Sequence, residues 1–114
     1  MTRRNPERGQ VVLRGTRNVF ADLGFSGANE RQAKLRLAYV LNQILDRRRL
    51  CQADAATVLG VTQPKVSAVR NYKLAGFSVE RLINLLTALD HDVEIVIRRK
   101  PRSRRNGRIS VVAA

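Results

Sequence analysis

The stretch over residues 52–71, QADAATVLGVTQPKVSAVRN, restricts the fold more than any other part of this chain. Its first half, residues 52–59, is short and rich in alanine, and Gly60 follows it. A glycine there ends a helix, because it takes the left-handed conformation without a Cβ clash. A second helix must then restart almost at once. Thr62 can cap it with its hydroxyl, and Pro64 falls in the first turn, where the helix needs no N–H donor. Ala53, Ala55 and Ala56 let the two short helices approach closely across the Gly-Val-Thr turn.

This is the sequence layout of a helix-turn-helix unit. In its second helix, Val66 and Val69 are the inward positions, and Val61 packs beneath the turn. Gln63, Pro64, Lys65, Ser67, Ala68, Arg70 and Asn71 are expected to face outward. None of these is acidic, whereas an ordinary solvated helix mixes charge signs. The major groove of B-DNA admits one helix and offers base edges that Gln, Lys and Arg can read, with thymine methyls for Ala or Pro. The composition agrees: the 114-residue chain carries a formal net charge of +13. So large a surplus points to a polyanionic partner.

The rest of the body is expected to be helical. Over residues 30–49, Leu35, Ala38, Leu41 and Leu45 recur at helical spacing with Leu37 and Ile44 beside them; Asn29 is the expected cap. A last helix is expected over residues 79–89, capped by Ser78. At residues 92–98 the period changes to two, with Val93, Ile95 and Ile97 alternating with Glu94, Val96 and Arg98, which marks a strand. A lone strand needs a partner. Val11, Val12 and Leu13 can supply it, and so can the same strand of a second copy, which makes Val93, Ile95 and Ile97 the expected dimerisation residues. Residues 98–114 hold seven Lys or Arg and no acid. The organisation read from this is a basic flexible arm over 1–17, a domain over 18–98, and a basic flexible tail over 99–114.

Several function classes are disfavoured. Cys51 is the only cysteine and His91 the only histidine, so neither an intrachain disulfide nor a Cys/His metal cluster is expected. Cys51 is read as a partly buried, inert thiol. No phosphate-binding glycine loop or Ser/His/Asp constellation is visible, so neither an enzyme nor a cofactor is expected. With no apolar leader and no run of about 20 apolar residues, the expected location is cytoplasmic and nucleoid-associated, with no membrane partner.

The run from Cys51 to Ser67 resembles the Cro/CI-type (XRE-type) helix-turn-helix signature, T-Q-x-x-x-A-x-x-L-G-V-[ST]-x-x-x-V-S. The blocks at residues 18–25, 76–78 and 92–97 are similar to the HigA-type antitoxin subgroup, so the resemblance spans residues 18–98. It implies an all-α bundle of four to five helices with a short C-terminal β-strand. It also implies a homodimer that binds double-stranded operator DNA, represses its own operon and in many members binds a toxin that cleaves messenger RNA. Carried over by position, Gln52 braces phosphate and the recognition helix. Gln63, Lys65 and Ser67 lie near base edges, and Lys73 near the backbone. With Thr62, Pro64, Arg70 and Asn71 they form the expected DNA-facing set.

The chain departs from the family pattern at two places. Cys51 stands where the family has Thr, and Tyr72 stands where a turn glycine is common. The other functions weighed are a toxin-neutralising interaction module and a nonspecific nucleic-acid binder. A basic toxin would be repelled by this chain except near Glu80, Asp90, Asp92 and Glu94.

Overall fold

The computed structural model describes residues 11–14 and 27–113. Most of the expected N-terminal arm, and the subgroup block at 18–25, lie outside the described residues. The order of elements is β1 (Val11–Arg14), α1 (Gly27–Arg48), α2 (Gln52–Leu59), α3 (Gln63–Arg70), α4 (Val79–Ala88) and β2 (Glu94–Ile97). The helical class and the short C-terminal strand are as expected. Of the two partners open to that strand, the chain itself supplies one: β1 pairs with β2 antiparallel, with Val11 opposite Ile97 and Arg14 opposite Glu94.

A leucine- and valine-rich core joins the helices. On α1 the buried stripe is Ala33, Leu37, Ala38, Leu41, Ile44 and Leu45. Leu35 was expected in this stripe but is 44% exposed. It projects from the flank of the helix together with the exposed Tyr39, and the inward face is set instead by Leu37 and Leu41, four residues apart. Val79, Leu82, Ile83, Leu85 and Leu86 of α4 pack against the stripe, with Phe77 and Leu89 at either end of that helix. The last turn of α1 is fastened there too, because Arg48 donates to the Leu89 carbonyl at 2.6 Å.

The helix starts follow the sequence reading except at α1. Ser78 accepts from the Arg81 amide at 3.0 Å, and Thr62 from the Lys65 amide at 3.4 Å. Helix α1 begins two residues earlier than its expected cap, so Asn29 lies inside the first turn.

The four helices among the described residues end in the same way. A residue one or two places past each end has a positive φ: Arg49 at 55°, Gly60 at 70°, Tyr72 at 57° and Asp90 at 65°. Its N–H, and that of the next residue, turn back to carbonyls of the final turn, as in Tyr72 N to Val69 O and Lys73 N to Ala68 O. These are Schellman motifs. Tyr72 thus takes the left-handed turn that glycine commonly supplies, and the exit of α3 keeps its geometry despite the side chain.

The last described segment touches the body. Although no strand forms over residues 109–113, Ile109 and Val111 are half-buried against the core, and Arg36 donates to the Val111 carbonyl at 3.4 Å. The seven cations of residues 98–108 therefore sit on a stretch joined to the body at both ends.

The shared helix ending predicts opposite effects at two positions. A Cβ at Gly60 would meet nothing within 4 Å. The cost of Gly60→Ala should therefore be conformational alone, about 1 kcal/mol. Arg49→Gly should change stability the other way, by up to about 1 kcal/mol. Urea unfolding of the two variants beside the parent chain checks both signs.

Candidate nucleic-acid interface

Helix α3 has only eight residues, too few to stand alone in water. Its inward side chains, Val66 and Val69, are each 1% exposed. The small Ala55 and Ala56 of α2 are buried beside them and allow the close crossing of the pair. The turn between the helices is held by Gly60 N to Thr57 O at 3.3 Å and Val61 N to Ala56 O at 3.1 Å.

The outward surface is built from both helices. Gln52 is exposed at the first position of α2. Thr62, Gln63 and Pro64 are exposed at the front of α3, Asn71 and Lys73 at its rear, and Ser67 is half-exposed between them. Asn71 donates to the Ser67 carbonyl at 2.9 Å and lies 3.4 Å from its hydroxyl, so these two polar groups are already oriented. Within residues 47–79 the only acid is Asp54. The surface therefore combines amides, hydroxyls and cations, with Thr62, Gln63 and Pro64 at the positive end of the α3 dipole.

Three of the residues expected to face outward on α3 have a different setting from the one the sequence suggests. The Lys65 ammonium lies 5.0 Å from the centre of the Phe77 ring and 3.5 Å from the Gly76 carbonyl. A Cβ on Gly76 would come within 3.3 Å of that ammonium, so a side chain there would nudge the tip of Lys65. Ala68, expected to face outward, is half-buried against the core. Arg70 turns back onto α1, where it meets the Asp46 carboxylate at 2.6 Å.

Arg70 has a second partner in Asn42, which the sequence reading did not single out. Asn42 is 6% exposed, and its amide donates to the Val69 carbonyl at 3.1 Å. A polar residue between Leu41 and Ile44 of an apolar stripe was the available signal.

Among the expected dimerisation residues, Val93 is half-buried against the core, Ile95 is half-buried, and Ile97 is 39% exposed. Cys51 is exposed, contrary to the expected partly buried thiol, because it occupies the cap of α2 rather than its packed face. Its sulfur accepts from the Asp54 amide at 3.5 Å. No helix among the described residues is long and apolar enough to cross a membrane.

A family described as a helix-turn-helix domain matches residues 19–98. A solved structure named for the XRE family of transcriptional regulators superposes with a TM-score of 0.75 at 72% identity, covering 78% of this chain and 100% of that one. No curated protein matches the chain.

The cap of α2 gives a direct prediction. A serine oxygen is a stronger acceptor at this position than the Cys51 sulfur. Cys51→Ser should therefore raise stability by about 0.5–1 kcal/mol, read as a higher midpoint in thermal unfolding. An unchanged midpoint would mean that the sulfur already caps as well as an oxygen.

Proposed function

From the premise that the chain belongs to the XRE-type helix-turn-helix family, we propose that it is a homodimeric, sequence-specific DNA-binding repressor. The observation that carries this reading is the acid-free outer face of α3, presented by a short helix held at both ends. In this reading Gln63 and Ser67 face base edges, with Pro64 and Asn71 beside them. Gln52, Thr62 and Lys73 lie along the phosphates. Lys65 reaches the DNA by leaving the Phe77 ring. Binding neutralises part of the +13 net charge and releases the counterions condensed on the duplex.

The second copy joins through the strand region. β2 pairs with β1 on one side, while Val96 and Ile97 remain 37% and 39% exposed. A two-fold axis there would place two copies of α3 against successive turns of the major groove. Light scattering at tens of micromolar should report a dimer; a monomer that retains specific binding would remove the strand from this role.

A finer reading makes the chain an antitoxin-type autorepressor of a toxin operon, located in the cytoplasm on the nucleoid. Support comes from the subgroup resemblance alone. Co-expression with the product of an adjacent gene tests it: relief of that product's toxicity supports the reading, and unrelieved toxicity contradicts it.

The preferred duplex can be enriched from a randomised library. Gln63→Ala should then cost about 1–3 kcal/mol on that duplex and relax preference at one position of each half-site. An unaltered base preference would exclude Gln63 from base reading. The tail is assigned to phosphate contact. Replacing Arg102, Arg105 and Arg108 by Gln keeps the Ile109 and Val111 attachments. It should lower the slope of log K against log salt by about 0.9 for each lost contact, equally on preferred and random duplexes. An unchanged slope would make the tail a spectator.

A further inference from the structure

The sequence presents Arg70 as one more cation on the outward face of α3, but the structure spends its guanidinium elsewhere. One nitrogen donates to the Asn42 carbonyl at 3.1 Å and to the Asn42 side-chain oxygen at 3.3 Å. The other meets Asp46 at 2.6 Å. Asn42 completes the circuit by donating its own amide to the Val69 carbonyl, in the last turn of α3. It is the one buried polar residue among the described residues, and both functional atoms of its side chain are engaged with α3.

We infer that Arg70 is a positioning residue: with Asn42 and Asp46 it fixes the angle at which α3 presents Gln63 and Ser67, and it does not itself contact DNA. The inference rests on the DNA-binding reading above. A planar fork with fixed donors suits this work, because it fixes an orientation as well as a distance. Groups that read a ligand must be held within roughly 0.5 Å and 10–20°. Two valines alone leave an eight-residue helix free to roll about its own axis. The Arg70 cluster removes that freedom at the rear, as the Thr62 cap does at the front. To reach a phosphate instead, Arg70 would have to give up Asp46 and both Asn42 oxygens.

Asp46 separates this account from simple electrostatics, because the two predict opposite signs. It is an acid placed next to a cationic surface. If only charge mattered, Asp46→Ala would tighten binding to every duplex. As a partner of Arg70, it should instead be needed for specific binding.

The experiment measures the parent chain, Asp46→Ala, Asp46→Asn, Arg70→Ala and the Asp46→Ala/Arg70→Ala double variant. Each is titrated with the library-enriched duplex and with a random duplex of equal length, across salt, after thermal melts confirm folding. Expected is a loss of about tenfold or more for Asp46→Ala and for Arg70→Ala on the enriched duplex. The double variant should be little worse than either single one. Asp46→Asn, which keeps an acceptor, should fall between parent and Asp46→Ala, and it decides the matter if Asp46→Ala fails to fold. The salt slope of Arg70→Ala should equal that of the parent.

Tighter binding of Asp46→Ala or Asp46→Asn on both duplexes overturns the inference. So does an equal loss on both duplexes for Arg70→Ala with a slope lowered by about 0.9, the mark of a phosphate contact. A parent chain that enriches no duplex overturns the DNA-binding reading itself. That failure is visible in the parent alone and so is distinct from a failure of the positioning role.

Discussion

The fold turns on burying one face of an eight-residue helix while leaving the other bare. Helix α3 cannot persist by itself, since nucleation costs more than so few hydrogen bonds return. Val66 and Val69 hold it to the core. Everything around it supplies what a short helix lacks: a hydroxyl cap at the front, a Schellman turn at the rear, alanines on α2 that permit close approach, and a buried amide on α1. The long α1 and the leucine-lined α4 form the support on which this small unit is mounted. That arrangement explains how a helix carrying so few apolar residues can remain ordered with its polar side facing solvent.

The ends of the chain contribute to the same support. Pairing of Val11–Arg14 with Glu94–Ile97 draws together segments far apart in sequence. The attachment of Ile109 and Val111 then carries the basic stretch back across the body. Cations joined at both ends lose less conformational freedom on meeting a polyanion than cations on a free tail. Charge in this protein is therefore sorted as well as abundant. Arg48 and Arg70 serve the interior packing through Leu89, Asp90, Asn42 and Asp46, while the acid-free surface of α3 and the stretch at 98–108 stay available.

Much of this was legible in the sequence, for local reasons. Gly60, Thr62 and Pro64 constrain the backbone by themselves, and the period of two at Val93, Ile95 and Ile97 marks a strand. The two caps provided by Thr62 and Ser78 were equally readable. What escaped depended on contacts distant in the chain. Leu35 fits helical spacing as well as Leu37 does, and only the placement of α4 decides which is covered. Arg70 and Lys65 look like exposed cations until Asp46, Asn42, Phe77 and Gly76 are placed around them. The left-handed turns at Arg49 and Asp90 were hidden because these residues carry no glycine signal, whereas the turn at Tyr72 was marked only by the family resemblance.

Entry of α3 into a major groove is tested most directly by methylation footprinting. Dimethyl sulfate attacks guanine N7 in the major groove and adenine N3 in the minor groove of one duplex. On the preferred site, the account predicts protection of guanine N7 in two patches about 10 base pairs apart, or a multiple of that spacing. Adenine N3 between the patches should remain reactive except where the basic stretch at 98–108 crosses. Protection confined to adenine N3, with guanine N7 fully reactive throughout, would contradict it.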